Sequence, residues 1–454
     1  IANLDATPTD EWPEAPRRRL LHAQRTHSCA VNRIQFEPAV TYNLMIATLF
    51  AFTFTLSMSL GINLVHFFNW ENMKSSYELL KNKISFGKWL KLAAIGLITG
   101  YIVSLGGNLH TIYAFTTGYP NETPVPPWEL SFGYHPERYW YPNATRFIPF
   151  TIHEFPSYSF VVSDLHGHVS DIPLVFLTLA LLLSIIIDKN KTFQSKADPK
   201  DETPSSGINF KFATDFENHT SLPLGKLLFL GILLAAMYMT NAWDGLIYMV
   251  LSGMVFLYLN FSAKYTESQS FFSSLYRTFS GSLFLLFFFL LASLPFSLNF
   301  KPFASGIGVL CAPKSLLGSK IGPLLFEVGK CQKSPLYMLT ILWGFFYFHV
   351  IGFLIFILIP KIRNHENKPA DYKKSAKTSN TFLKKIGLYL LKPLQLFHHL
   401  SLADSFVLLI IIISTLLLIF PEFFYLKDIY PAHYRANTMF KLGYQAFMML
   451  GIST

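Results

Sequence analysis

The sequence is poor in charged residues. Only 14% of its 454 residues are Asp, Glu, Lys or Arg, against 51% hydrophobic residues, whereas soluble domains carry about 25% charge. This shortage argues against an ordinary soluble protein and predicts a polytopic membrane protein. The net charge of +10 does not indicate nucleic-acid binding, because the lysines cluster in loops between apolar runs, as the positive-inside rule predicts.

Cysteine is also scarce, with three residues, Cys29, Cys311 and Cys331. No Cys-x-x-Cys or Cys/His finger spacing appears, which disfavours that kind of zinc site. Cys311 and Cys331 share one predicted loop, where both a disulfide and two unpaired thiols stay open. The sequence also has no P-loop, Gly-x-Gly-x-x-Gly, Gly-x-Ser-x-Gly or His-Glu-x-x-His motif, which disfavours nucleotide hydrolysis, flavin or NAD chemistry and zinc proteolysis.

Long apolar runs dominate the chain, and each is long enough to cross a bilayer. We predict an all-α, polytopic integral membrane protein with about nine transmembrane helices. The runs are 39–68, 88–110, 170–188, 224–240, 245–260, 280–298, 337–360, 403–420 and 438–454. Asn241 and Asp244 interrupt the 224–260 region, and a tight break is expected there because an Asp in mid-bilayer costs about 3 kcal/mol. Asp244 then lies near a helix start, where the dipole stabilises a carboxylate; a catalytic role is the alternative.

Basic residues predict the orientation of the chain in the membrane. The predicted cytoplasmic loops are 69–87, 189–223 and 361–402, and the predicted external loops are 111–169, 299–336 and 421–437. Every unusual polar motif falls on the external side, which predicts a single external site. Loop 299–336 is nevertheless basic, with five lysines against Glu327. Either the predicted number of membrane spans before this loop is wrong, or the loop binds an anionic substrate such as a lipid phosphate.

Residues 1–36 differ from the remainder. Five of the ten arginines lie there, and no apolar h-region marks a secretory signal. Two interpretations are open: a disordered basic N-terminus, or a foreign segment joined to a membrane domain, 37–454, that is truncated at both ends.

Acids and histidines concentrate in one stretch, HEFPSYSFVVSDLHGH. The ionisable residues are His153, Glu154, Asp164, His166 and His168. Asp164, His166 and His168 alternate, which places them on one side of an extended segment. An Asp-x-His-x-His pattern can bind a divalent cation, and a carboxylate–histidine pair can equally act as a general base. The structural alternative is that Asp164 caps the following helix.

A second polar stretch runs from Glu422 to Lys441. Arg435 and Lys441 lie near a predicted helix start, which is unfavourable for cations unless an anion meets them. A phosphate would satisfy this requirement, since Arg binds it in a bidentate manner. The alternative is an ion pair of Arg435 with Asp428 or Glu422 that stabilises the conformation of the loop.

Several motifs, taken in order, resemble the uncharacterised "YYY" family of large bacterial and archaeal membrane proteins. They are EPAVTYNLMIATLFAFT, GGNLH, NATRFIPFTIHEFPSYSFVVSDLHGHVSDIP, TNAWD and EFFYLKD…YRANTMFKLGYQA. The resemblance runs from about Glu37 to the C-terminus. That family is grouped by similarity with type-C (GT-C) glycosyltransferases, polytopic enzymes that use lipid-phosphate-linked sugars at an external site. It implies a GT-C-like fold, a multi-pass location in a prokaryotic plasma membrane, and sugar transfer from a polyprenyl phosphate.

The resemblance also implies roles for individual residues. Those expected in catalysis are Glu154, Asp164, His166 and Asp244. Those expected in substrate binding are Asn241, Glu422, Asp428, Arg435, Asn437 and Lys441. The expected partners are the bilayer and a lipid-phosphate-linked sugar, and the expected cofactor is a divalent cation held by Asp164, His166 and His168.

One departure from the family concerns the N-terminus. The family usually has an upstream span, an acidic external loop and the tyrosine motif that names it, and residues 1–36 contain none of these. Because the first external loop of GT-C enzymes supplies the catalytic carboxylate, an inactive fragment is one expectation. Two further alternatives are a transporter or flippase of a lipid-linked or anionic substrate, and a structural membrane subunit.

Overall fold

A computed structural model describes most of the chain. The described residues are 37–71, 85–121, 123–197, 216–217, 219–220, 222–262, 271–302, 306–311, 331–365, 400–427 and 431–454. The chain divides into two units, Ile1–Met45 and Ile46–Thr454. The described residues of the first unit begin a helix at Pro38. All the sites described below belong to the second unit. The predicted segment 1–36 and Asp428 lie outside the described residues.

The described chain is built almost entirely from helices. The α-helices are α1 (Pro38–Glu71), α2 (Phe86–Leu105), α3 (Pro156–Val161), α4 (Gly167–Ser170), α5 (Ile172–Ala197), α6 (Leu224–Thr240), α7 (Ala242–Phe261), α8 (Phe271–Ser297), α9 (Leu336–His365), α10 (Leu402–Ile419) and α11 (Ala436–Ser453). The nine long helices among them coincide with the nine predicted apolar runs.

Seven segments of the described chain are long and apolar enough to cross a membrane: α1, α2, α4 with α5, α7, α8, α9 and α10. Helix α6 is apolar but shorter, with 17 residues. Helix α11 has 18 residues and includes Lys441 and Gln445. The prediction of an all-α, multi-pass integral membrane protein is therefore confirmed.

Helices suit a bilayer because they satisfy their own backbone hydrogen bonds. Polar side chains inside these helices follow the same rule. Ser57 and Ser414, both fully buried, donate from Oγ to the carbonyl oxygens four residues earlier at 2.6 and 2.7 Å. Such back-bonding removes the cost of an unpaired hydroxyl in an apolar surrounding.

Helix α7 lies at the centre of the second unit, where it packs against α5, α6, α8, α10 and α11. Tyr248 and Leu251 on α7 are completely buried in the main apolar core. Asn241 alone separates α6 from α7, and its N–H donates to the Met237 carbonyl at 2.7 Å. The predicted tight break is therefore confirmed, and it places Asn241 and Asp244 at one end of the helix bundle.

Segments from the three predicted external loops are fastened to one another. Strands β1 (Gly306–Val309) and β2 (Phe424–Lys427) pair in antiparallel register. A disulfide joins Cys311 to Cys331, with the two Cα atoms 4.3 Å apart, and this answers the question that the sequence left open. Gln332 Nε2 donates to the Pro149 carbonyl at 2.8 Å, which ties the disulfide-linked loop to the first external loop.

Candidate functional site

The stretch 153–168 folds as a short helix followed by a left-handed turn. Helix α3 ends in a Schellman arrangement, in which Asp164 N–H donates to the Ser159 carbonyl at 2.8 Å and Ser163 N–H to the Phe160 carbonyl at 3.2 Å. Ser163 has φ of +56°, a conformation that glycine usually supplies at this position. Residues held in this way store strain and cluster at functional sites.

Gly167 allows a close approach between α4 and the end of α6. A Cβ atom at this position would clash with the Thr240 carbonyl oxygen, so only glycine permits this contact. Helix α4 continues through Asp171 into α5, since Val175 N–H donates to the Asp171 carbonyl at 3.0 Å. His168 and Asp171 are thereby held beside the break between α6 and α7.

Three side chains form a candidate cation site. Glu154, Asp164 and His168 each offer one ligand atom, and these atoms lie within 4.8 Å of one another. The His168 ring is 2% exposed, and neither of its nitrogens has a hydrogen-bond partner among the described residues. Its Nε2 lies 3.5 Å from Asp164 Oδ2. Two carboxylates and an imidazole make a donor set that divalent cations accept.

Aromatic rings from α11 hold His168 in place. The rings of Phe440 and Tyr444 meet the imidazole edge to face, with centroids 4.7 and 4.8 Å away. Tyr444 also donates from its hydroxyl to Ser159 Oγ at 3.4 Å. These contacts fix the imidazole plane, as second-layer contacts do around metal-binding histidines.

His166 has different surroundings from those of His168. Its side chain is 78% exposed, and its Nδ1 pairs with Asp164 Oδ1. The two oxygens of Asp164 thus face two different histidines. Helix α4 has no side-chain cap from its preceding residue, so the pairing with His166 replaces the capping role considered for Asp164. An exposed imidazole oriented by a carboxylate is a suitable proton acceptor.

Cations balance the charge of this cluster. Arg146 Nη2 donates to Glu154 Oε1 at 2.9 Å. Lys441, in the second turn of α11, interacts electrostatically with Glu154, Asp164 and Asp244. Lys441 was predicted from the sequence, whereas Arg146 was not; the available signal was its position eight residues before Glu154.

Arg435 and Glu422 form a second, separately hydrogen-bonded cluster. Arg435 is 1% exposed. Its guanidinium donates to the carbonyls of Pro421 and Gln332 at 3.0 and 2.6 Å, and to Ser334 Oγ and Glu422 Oε1 at 3.1 and 2.6 Å. Burial lowers the pKa of Arg435, and the Glu422 carboxylate opposes that shift. Of the two interpretations offered by the sequence, the geometry matches the ion pair.

His153 is a buried structural residue. Its Nε2 lies 2.7 Å from Thr151 Oγ1, and its N–H donates to the Thr145 carbonyl at 2.8 Å. Burial, followed by the charges of Arg435 and Arg146, lowers the pKa of His153 to about 3. The imidazole is therefore neutral near pH 7, and it lies outside the Glu154, Asp164 and His168 group.

Two further acids are buried side by side in the bundle. Asp171 and Asp244 are both completely buried and interact with each other. Asn241 and Gln445 also interact with Asp244. Sequence reasoning named Asn241 and Asp244 but missed Asp171 and Gln445. The signal for Asp171 was its position three residues after His168, on the same helical face.

One predicted substrate-binding residue, Asn437, remains to be located. Asn437 lies in the first turn of α11. The structure brings together Glu154, Asp164, His166, His168 and Lys441, and it puts Arg435 and Glu422 in their own hydrogen-bonded cluster.

The fold and this cluster define a class: a multi-pass integral membrane protein with a carboxylate–histidine group at one end of its helix bundle. The chain belongs to the family described as "Uncharacterized membrane protein (DUF2298)", whose model matches residues 24–450. No curated protein and no solved structure matches the chain. The family match starts within segment 1–36, and likeness to GT-C enzymes stays a prediction.

Proposed function

We propose that the protein is a membrane glycosyltransferase of the GT-C-like kind, which transfers a sugar from a polyprenyl-phosphate-linked donor at the predicted external face. The observation that carries this proposal is the convergence of Glu154, Asp164 and His168, whose ligand atoms lie within 4.8 Å of one another. Ionisable groups buried within a membrane bundle, as His168 is, are costly and are usually functional.

The proposal assigns a divalent cation to these three side chains. The unpartnered nitrogens of buried His168 support this assignment, because an imidazole without hydrogen bonds in an apolar surrounding is otherwise unfavourable. Three protein ligands leave coordination positions open for substrate oxygens. When bound, the cation would supply positive charge to the phosphate of the donor as that phosphate leaves.

His166 is the proposed proton acceptor. In the reaction, the acceptor hydroxyl oxygen bonds to the anomeric carbon of the sugar, and the bond from that carbon to the phosphate oxygen breaks. The lipid phosphate keeps the bonding electron pair, and the hydroxyl proton moves to the imidazole of His166. Asp164 Oδ1, paired with Nδ1, orients the ring and stabilises the resulting imidazolium.

Lys441 is the proposed partner of the leaving phosphate, since it interacts electrostatically with Glu154 and Asp164, two members of the cation cluster. Arg435 and Glu422 act instead by positioning α11, because their polar groups are bonded to protein. Asp244 interacts electrostatically with Lys441, and Asn241 interacts with Asp244. Asn437 and Asp428 stay predicted substrate contacts.

The test is transfer of labelled sugar from a lipid-linked donor by membranes that contain the full chain. Loss of a general base typically lowers the rate 10²- to 10⁴-fold, so H166N and D164N should fall at least 100-fold. Asp188 pairs with Lys226 near the other end of α5, and D188N should retain activity. Wild-type activity in both H166N and D164N would refute the proposed roles.

A transporter or flippase is the second candidate, and the buried acids Asp171 and Asp244 favour it. Charged groups within spans often line a transport path. Movement of labelled lipid-linked substrate across liposomes by the purified protein, without sugar transfer, would select this alternative.

A further inference from the structure

Asp171 and Asp244 form a buried pair of acids, and ionising both carboxyl groups in these surroundings would cost free energy. Asp171 directly precedes α5, and Asp244 lies in the first turn of α7. Both side chains are 0% exposed, and none of their four oxygens has a hydrogen bond of ordinary geometry within the described chain. Like charges in a dry surrounding favour neutralisation of one of them.

The groups around the pair donate hydrogen bonds. The side-chain nitrogens of Asn241 and Gln445 are more than nine-tenths buried and unpartnered in the described structure, and both side chains interact with Asp244. The carbonyl oxygen of Gln445 is occupied, because it accepts from the Tyr248 hydroxyl at 3.0 Å. Gln445 therefore has its N–H groups left for the acids.

Ionisable groups reach the pair from three elements. Lys441 and Tyr444 approach from α11, Tyr248 belongs to α7, and His168 lies one turn before Asp171 on α4. The ammonium group of Lys441 and the amide N–H groups of Asn241 and Gln445 favour a negative charge on the acid pair. They disfavour a metal cation there, because such a cation requires oxygen ligands. The N-terminus of α7, where Asp244 lies in the first turn, adds to the same preference.

We infer that Asp171 and Asp244 share a single proton, forming a buried carboxyl–carboxylate pair with one net negative charge. Complete ionisation would leave two repelling charges, and complete protonation would leave Lys441 and the amide donors without a charged acceptor. The pair is a proton-binding site, and its charge attracts the ammonium group of Lys441. It does not depend on the proposed sugar transfer.

The experiment is infrared spectroscopy of the purified full chain in lipid nanodiscs at neutral pH. The carbonyl stretch of a protonated carboxyl group is separate from the bands of ionised carboxylates, and it shifts when water is replaced by D₂O. Spectra of wild type, D171N, D244N and D188N are compared, and circular dichroism and gel filtration check that each variant is folded.

A shared proton predicts one such band in wild type, its loss in D171N and in D244N, and its retention in D188N. The loss is expected because the remaining acid, facing an amide and Lys441, ionises. If one variant does not fold, the other decides the question alone. Absence of the band in wild type, or a band that each variant only halves, would overturn the inference. Neither outcome bears on sugar transfer, so the two proposals fail separately.

Discussion

Arg435 and His168 are buried to a similar degree, at 1% and 2% exposed, but their polar atoms are used differently. The guanidinium of Arg435 makes four hydrogen bonds to Pro421, Gln332, Ser334 and Glu422. The imidazole nitrogens of His168 make none with the described residues. Because unsatisfied buried polar groups are costly, the first cluster is complete in itself, whereas the second has buried nitrogens that a bound cation would satisfy.

This difference distinguishes a structural cluster, around Arg435, from a candidate functional cluster, around His168, although their residue types are similar in the sequence. Both clusters combine an acid with a basic side chain, and both lie beside α11. The two clusters differ in whether their buried polar atoms are hydrogen-bonded to protein. This difference indicates where a cation or a substrate phosphate would bind.

Removing Arg435 is expected to have the largest effect on folding. R435A leaves the Glu422 carboxylate in a partly buried site without its charge partner, which typically costs about 3–5 kcal/mol. Thermal or denaturant unfolding of the detergent-solubilised protein measures this loss. The matched control is R146A, whose pair with Glu154 is 43% exposed on the arginine side and should contribute less than about 1 kcal/mol. Equal stability of R435A and wild type would place Arg435 among the ligand-binding residues instead.

The disulfide is expected to stabilise the same cluster. It closes a loop of sequence separation 20, and one end adjoins Gln332 and Ser334, which bind Arg435. Replacing both cysteines by serine should lower the free energy of unfolding by about 2–4 kcal/mol. Unfolding midpoints with and without reductant measure the effect in wild type, and the double-serine variant should not respond to reductant. A reductant-insensitive midpoint in wild type would contradict this contribution.

The two histidines of the cation cluster should differ in their effect on metal binding. His166 touches Asp164 but is not one of the three grouped ligands, so H166N should weaken divalent-cation binding about 10- to 100-fold, as loss of an orienting neighbour does. Isothermal titration with Mn²⁺ gives the affinity. Complete loss of binding in H166N, with H168N unaffected, would reverse the two roles.

The pH dependence of stability gives the last prediction, whose effect is small within any one pH unit. Burial lowers the pKa of both His110 and His153 from 6.5 to about 3. Between those values the unfolded chain binds more protons than the folded one, so stability falls as the pH falls from 6.5 toward 3. Each histidine should contribute a slope of about 1.4 kcal/mol per pH unit. Unfolding of H110N and H153N across this range should show a shallower slope than wild type, and identical slopes would contradict the assigned burial.

Periodicity and apolar length predicted the helices well, because a bilayer forces each span to be continuous, apolar and helical. The break at Asn241 followed from the cost of placing Asp244 in hydrocarbon. The site was predicted only in part. Local spacing identified Asp164 and His168, but Glu154 joins them through the left-handed turn at Ser163, which no spacing rule indicates.

Long-range contacts explain the remaining differences between sequence and structure. Arg435 is bonded to Gln332, 103 positions away in the chain, so its donors looked available for phosphate when only nearby residues were considered. Asp171 was not singled out in the sequence, and it became notable only beside Asp244. Tertiary contact, rather than residue type, decided each of these cases.

Calorimetric titration of the folded full chain with Mn²⁺ tests the central claim most directly. One ion per chain is expected, with E154Q, D164N and H168N each weakening the affinity at least 100-fold, about 2.8 kcal/mol, and with D188N binding like wild type. Absence of saturable binding, or wild-type affinity in all three ligand variants, would contradict it.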